Sequence, residues 1–367
     1  MPVGEQADRI VCTRDTIYAL TTNGRVFFWS MPGLLRSLRT ASTASSPPPS
    51  STPGWPLEFA SLAPRPTTDA PPSPPSLPPS LPPSLPPSPL HSSSSSSHVV
   101  ITGIAAGHDH VLMTTRDGTV LGVGSNAQGQ LGFPATYAAF TEPREIPFFL
   151  PPSLPPSLRP TRVEAGHAHS FVICEREGVN EGGREGGKES VIYAFGCDRW
   201  LQLGLGEAWA ARGGPLCFRP QPLHILPPLQ SSPPSSPPPS PPSSPFTPPS
   251  GDKKLLGVLL PSSTCISQVA VGRAHCLLLT SEDKEEGGRG GGWVYGWGKN
   301  QKRQANFACP CEKTKGDILQ PVMVPLFAME DAGAGIGRVE GVFAGYDSSG
   351  VVIQCDDDAN ENGTEGH

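Results

Sequence analysis

The chain has no run of the roughly 18 apolar residues that a membrane-spanning helix needs, and no tract of lysine or arginine. The first absence argues against a membrane protein. The second argues against nucleic acid as a partner, because phosphate binding draws on clustered cations that release counterions. The amino terminus, MPVGEQADRI, has acidic residues and no apolar segment. It reads as neither a secretory signal nor a transit peptide. The sequence is therefore expected to be intracellular, without separating cytoplasm, nucleus, mitochondrion or plastid. Cys309-Pro310-Cys311 has no Cys-x-x-Cys or His pair at zinc-site spacing to complete it, so no metal and no cofactor is expected. The nine cysteines are odd in number and irregularly spaced, several of them inside apolar runs such as FVIC and HCLLL. They read as buried, reduced thiols. A net charge of −6 completes the list of what does not suggest a polyanionic ligand.

Proline and glycine, by contrast, are abundant: 47 and 41 of 367 residues. They are concentrated in tracts. Residues 31–99 are Ser/Pro-rich, with SPPSLPPSLPPSLPPSP at their centre, and 227–260 are similar. Such composition cannot bury enough apolar surface to offset chain entropy, so both are expected to be disordered inserts, as is the acidic tail 356–367. Repeats of one tetranucleotide, TCCC, encode Ser-Leu-Pro-Pro. The inserts accordingly read as expanded microsatellite or retained intron sequence, the docking of SH3-type domains being the weaker explanation.

Between the tracts the chain repeats itself. Residues 101–133, ITGIAAGHDHVLMTTRDGTVLGVGSNAQGQLGF, read strand, loop, strand, turn, strand, loop. The same frame returns at Val163–Leu205, at Val269–Phe307, in a worn copy over residues 10–30, and in a partial fifth copy at VFAGYDSSGVVIQ. The domains expected are a degenerate first repeat over 1–30, repeats over 100–226, and repeats over 261–355 with the last one partial. Asn23-Gly24 and Asp117-Gly118 mark hairpin tips. The Gly/Glu-rich inserts after Glu177 and Asp283 fall at the same tip, where extra residues cost least.

Gly107, Gly166 and Gly272 each stand three residues before His110, His169 and His275, while Gly345 precedes Ser348 by the same offset. A fixed glycine implies a positive φ or a close backbone approach. The recurring histidines suggest a metal or acid/base site much less than a buried imidazole serving the repeat's own hydrogen bonding to backbone groups. In the next strand Phe27/Trp29, Leu121/Val123, Tyr193/Phe195 and Tyr295/Trp297 share a face opposite Gly122, Ala194 and Gly296. Large against small is expected to let stacked sheets interdigitate. Gln130, Gln202 and Gln304 follow Gly124, Gly196 and Gly298 by six, and Asn126, Asp198 and Asn300 follow them by two. The Asn/Asp side chains suit an Asx-type turn, and Gly132, Gly204 and Asn306 a left-handed position.

These residues resemble the repeat of the regulator of chromosome condensation family: apolar-x-x-Gly-x-x-His, an apolar strand, a turn ending in Gly, V-Y-x-W/F-G, Asn/Asp, and Q-L-G-x-G. The resemblance covers about 150 to 200 residues in five patches. It implies an all-β fold, a β-propeller of four-stranded blades. About five blades are recognisable against the family's usual seven, which reads as an incomplete ring. Family functions include nucleotide exchange on the GTPase Ran, UV-B photoreception and scaffolding, and fold alone does not choose among them. Photoreception would need tryptophan where His108, His167, Arg273 and Tyr346 stand, and the chromatin-bound exchange factor would need a basic arm. The expectation is a non-catalytic interaction scaffold, with exchange on a small GTPase as the alternative and a protein as partner. Rim-loop residues Arg14, Asp15, His108, Asp109, His167 and Arg273 are the candidate binding positions.

Overall fold

The computed structural model describes residues 4–31, 57–58, 99–133, 139–179, 185–212, 214–225, 264–282, 292–306, 316–324, 326 and 338–354. Most of the two Ser/Pro tracts, the Cys309-Pro310-Cys311 segment and the acidic tail lie outside these residues. No described helix is long and apolar enough to cross a membrane.

Among the described residues five antiparallel sheets follow one another, four of them four-stranded and the last two-stranded. The first holds β1 (Ala7–Cys12), β2 (Thr16–Thr21), β3 (Val26–Ser30) and β4 (Leu57–Glu58). The second holds β5 (Ile101–Ala106), β6 (His110–Thr115), β7 (Val120–Ser125) and β8 (Ala139–Glu145). The third comprises β9 (Arg159–Ala165), β10 (His169–Val179), β11 (Glu185–Cys197) and β12 (Leu216–Pro222). The fourth is β13 (Thr264–Val271), β14 (His275–Glu282), β15 (Val294–Gly298) and β16 (Ile318–Met323). The last is β17 (Arg338–Ala344) with β18 (Ser349–Gln354). A 3-10 turn at Pro147–Phe149 and one short helix, α1 (Glu207–Ala210), are the remaining described elements. In every sheet each strand pairs with its sequence neighbour, so each repeat is one meander, and consecutive meanders lie against each other as blades.

Turn chemistry explains the meanders. Gly24 (φ 76°) and Gly118 (φ 88°) donate back to Thr21 and Thr115 at the hairpin tips, in a backbone region that costs an L-residue energy. Two expected boundaries move. The first sheet takes β4 from inside the tract 31–99, where Leu57 and Glu58 pair with Phe28 and Phe27 along the free edge of β3. In the third sheet β10 and β11 extend into the insert after Glu177, pairing Gly178 with Gly186 and Val179 with Glu185. A backbone ladder can lengthen without regard to side chains, so this insert lengthens the hairpin before it loops.

Packing between blades supplies the core. Large residues of the third strands face the preceding blade: Leu121 and Val123 pack with Leu20 and Val26 of the first sheet, and Tyr295 and Trp297 with Phe171 and Ile173 of the third. Trp297, Phe171 and Phe195 are fully buried, each worth roughly 1.5–3 kcal/mol of transfer free energy or more. The opposite face is not filled as the large-against-small expectation has it. A Cβ on Gly122 would meet Leu131 at 3.1 Å, and one on Gly296 would collide with the Ala305 carbonyl. The small residues at these positions make room for the blade's own return loop.

Candidate protein-interaction face

Each first hairpin loop closes the same way. The amides of Thr13, Gly107, Gly166, Gly272 and Gly345 donate to the carbonyls of Thr16, His110, His169, His275 and Ser348 at 2.7–2.9 Å. In the worn copy Thr13 adds its hydroxyl, which accepts from the Thr16 amide at 3.1 Å. Of the two reasons offered for the glycines, close approach is the one found. Among Gly107, Gly166 and Gly272 none has a positive φ, and a Cβ on each would strike its own histidine ring and the glycine carbonyl of the next blade.

The histidines do not serve backbone groups of their own repeat, as expected; they join blades through side chains. His110 Nε2 lies 2.8 Å from Ser170 Oγ in the third sheet, and that hydroxyl donates to the Gln130 carbonyl at 2.7 Å. The proton pattern assigns Nε2–H to His110. His169 Nε2 meets Cys276 Sγ at 3.6 Å, and the thiol and the Trp297 indole both donate to the Gln202 carbonyl. His275 Nε2 meets Ser349 Oγ at 2.7 Å. Burial first of all drives these rings towards neutrality, His110 and His169 down to about 3 and His275 in the same direction. They sit in separate seams, fully or nearly enclosed, and are unavailable to a substrate. Among the described residues there is no cluster of three His, Cys, Asp or Glu side chains that could hold a metal.

The return loops repeat as closely. Gln130, Gln202 and Gln304 each accept through Oε1 from the amide two residues earlier, at 2.7–2.8 Å. Asn126, Asp198 and Asn300 accept through Oδ1 from the amides of Leu131, Leu203 and Ala305 at 2.9–3.0 Å, a clamp over five residues where an Asx turn would span two. Gly132 and Gly204 are left-handed, but Asn306 is not; in all three loops the residue just before the glutamine, Gly129, Leu201 or Arg303, is left-handed as well.

Both loop types lie at one end of the blades, because Ser125, Cys197 and Lys299 at the start of the return loops donate to Asp109, Ala168 and Ala274 at 2.8 Å. That end carries all six candidate binding positions. The Arg14 amide donates to the His108 carbonyl at 2.8 Å and the His108 amide to the His167 carbonyl at 3.0 Å, chaining three blades. The His108 and His167 rings stack at 4.4 Å, Asp109 holds His108 Nδ1 at 2.8 Å, and Asp15 lies 3.4 Å from Arg14. His167 is pushed down by burial and by the neighbouring His108 and Arg273. Arg273 lies 4.4 Å over the exposed ring of Tyr346.

Five more residues join this face that are not among the candidates: Tyr346, Trp200, Lys299, Lys302 and Asp347. Tyr346 occupies the same offset as His108 and was open to discovery by it. Trp200, Lys299 and Lys302 come from return loops: Lys299 sits 5.2 Å over Trp200, and both lysines reach Asp347, at 3.9 and 2.9 Å. No motif marks them; only the stacking of blades brings them together. Where Thr16 replaces the histidine, the bond to the next blade is missing, and a cleft of about 220 Å³ opens between Asp15, Thr16, Tyr18, Asp109 and His110.

Consecutive four-stranded antiparallel meanders joined by buried seams, with loops gathered on one end, define a repeat protein of the β-propeller class. Two family models for the regulator of chromosome condensation (RCC1) repeat match, one over residues 117–173 and one over 101–130. Residues 101–173 thus carry the RCC1 repeat. Among solved structures the chain is similar to yeast RCC1 (Prp20) in complex with Kap60 at 15% identity, covering 95% of this chain and 54% of that one with a TM-score of 0.48. Prp20p of Saccharomyces cerevisiae, described with its binding to Gsp1p and histones, is 15% identical over 96% of this chain and 57% of that one, TM-score 0.49. Human WBSCR16 is 14% identical over 96% and 59%, TM-score 0.48. The chain thus spans a little over half the length of each. No curated protein matches.

Proposed function

We propose that the protein is a non-catalytic scaffold that binds a protein partner through the loop end bearing Arg14, Asp15, His108, Asp109, His167 and Arg273. The observation that carries this reading is the continuity of that end: loops from consecutive blades are tied backbone to backbone, so exposed cationic, acidic and aromatic groups are held in fixed relation by rigid sheets. Rigid presentation lowers the ordering cost of association. The repeat histidines His110, His169 and His275 are committed to the seams and are not offered to a partner.

The test is capture with the full chain and with a double variant, Arg14→Glu with Arg273→Glu, whose melting temperature matches the parent. Proteins retained by the parent and lost by the variant support the reading. The same set bound by both would sink it.

The second reading is nucleotide exchange on a small GTPase. It rests on the RCC1 repeat match over residues 101–173, and it fits a face that works by contact. Release of labelled GDP from a GTPase panel separates the two: acceleration that disappears in the double variant supports exchange, and no acceleration by the folded chain removes it.

A further inference from the structure

Three seams between consecutive blades are closed by one kind of side-chain pair, and the first seam is not. His110, His169 and His275 meet Ser170, Cys276 and Ser349, each the residue just after the next blade's own copy of the histidine position. Between the first and second sheets both halves are exchanged at once: Thr16 stands for the imidazole and Val111 for the hydroxyl or thiol. Exchanging one half alone would strand a buried polar group. Exchanging both strands none and leaves the place of the ring unfilled, and it is there that the cleft of about 220 Å³ opens. It lies between two blades that pack on each other through Leu20, Val26, Ile104 and Met113, and residues of both line it.

The chemistry of the cleft is divided by depth. Val111 and Val123 are buried in its wall, with Tyr18 half-buried beside them. The exposed groups are acidic, Asp15 from a loop of the first sheet and Asp109 from the equivalent loop of the second. No lysine or arginine is among the described residues that line it, and burial keeps His110 neutral. Each carboxylate is paired with a solvent-facing side chain, Arg14 at 3.4 Å from Asp15 and His108 at 2.8 Å from Asp109. Exposed pairs of this kind contribute little, so an incoming cation exchanges with them at small cost.

Size and charge together select the occupant. Sites for drug-sized ligands start at about 300 Å³, which leaves this cleft to a single side chain. A guanidinium is planar and weakly hydrated, with donors in a fork that fits carboxylates, and its aliphatic stem lies well on apolar walls. An ammonium is more strongly hydrated and gains less from such walls. We propose that the cleft receives an arginine side chain of the protein partner, its guanidinium at Asp15 and Asp109 and its stem against Val111, Val123 and Tyr18. This rests on the scaffold reading above and adds the group that is recognised.

Ligand-observed NMR titration of the full chain with N-acetyl-arginine amide tests it, with the citrulline and lysine analogues as neutral and ammonium comparators. The arginine probe is expected to bind about tenfold tighter than citrulline, the worth of one charge-assisted bond. Asp15→Asn with Asp109→Asn should remove that preference and keep the fold, since both side chains are exposed. Thr16→His with Val111→Ser fills the cleft and rebuilds the seam pair. It should lose the probe and, in capture, the partner, with a melting temperature no lower than the parent's. Arginine bound no better than citrulline or lysine, or a partner captured equally by the filled variant, overturns the proposal and leaves the scaffold reading standing. Arginine bound selectively with no protein captured by the parent supports the guanidinium site and sinks the scaffold reading instead.

Discussion

His110 in the second sheet and Ser170 in the third are sixty residues apart, yet His110 Nε2 and Ser170 Oγ lie 2.8 Å apart, and the same hydroxyl donates to the carbonyl of Gln130 in the second repeat's return loop. One hydroxyl thus ties two blades at two points in a site closed to water: His110 is 1% exposed and Ser170 0%. Removing it strands a ring nitrogen and a carbonyl together.

Ser170→Ala is accordingly expected to lower stability by about 2–6 kcal/mol, at roughly 1–3 kcal/mol for each of the two buried groups left unpaired. Ser349→Ala, at a less enclosed seam with one such bond, should cost about 1 kcal/mol. Urea unfolding midpoints give both values. A Ser170→Ala change within 0.5 kcal/mol of zero would show that the seam bond contributes nothing.

Gly107→Ala and Gly166→Ala should be more damaging than an alanine usually is at a site with ordinary φ. The added methyl has no free volume, meeting backbone of the next blade as well as the ring of the same repeat. We expect a loss of about 3 kcal/mol, at the upper end for overpacking. Gly214→Ala, where nothing lies within 4 Å, is the control and should be near neutral.

Asp198 stands where its sibling loops have asparagine, and it is 7% exposed. Burial raises its carboxyl from 3.8 to about 6, against the opposing bond from Leu203. A carboxyl whose folded pKa is raised favours the fold when protonated; that contribution is present below pH 4 and lost as pH rises through about 6. Asp198→Asn keeps the acceptor that Asn126 and Asn300 use. It should stabilise the protein by up to about 3 kcal/mol at pH 7.5, at 1.36 kcal/mol per pKa unit, and by little at pH 4. Melting curves across that range check the convergence; a constant gap would disprove a titrating Asp198.

The neutral seam histidines impose the opposite slope. Their folded pKa values lie below 6.5, so the native state binds fewer protons than the unfolded chain, and stability falls as pH drops below about 6.5. In the Asp198→Asn background this acid loss should appear unmasked, as a steeper fall in melting temperature between pH 6 and 4 than the parent shows.

Arg303 is left-handed at φ 61°, where the second blade has Gly129. A non-glycine residue there carries about 1–2 kcal/mol of strain. Arg303→Gly should raise stability by about 1 kcal/mol, measured by thermal unfolding; a loss would mean that contacts of the arginine outweigh the strain.

Much of the blade was legible in the chain because its determinants are local. Gly107 to His110, Gly124 to Asn126 and Gly124 to Gln130 are short offsets, and each corresponds to a bond closed within one loop or to a packing limit at one turn. Leu201 and Arg303 escaped because a left-handed residue that is not glycine leaves no compositional mark. The extension of β10 and β11 escaped because ladder bonds are made by backbone, which every residue has.

The candidate face divides along the same line. His108, His167 and Arg273 share an offset, so their common location follows from the repeat, and Tyr346 follows with them. Trp200 beside Lys299, and Lys302 beside Asp347, do not, since each pair bridges different blades.

What the sequence determines by itself is the blade: its length, its turns and the alternation of its apolar strands, all set by interactions across a few residues. Only the tertiary structure decides which residues become seams and which glycines are compulsory. Ser170, Cys276 and Ser349 are small hydroxyl or thiol side chains at one repeat offset, yet nothing local marks them as partners of the preceding blade's histidine. Their roles come from what lies against them, and that depends on contacts between residues dozens of positions apart, which local pattern does not encode.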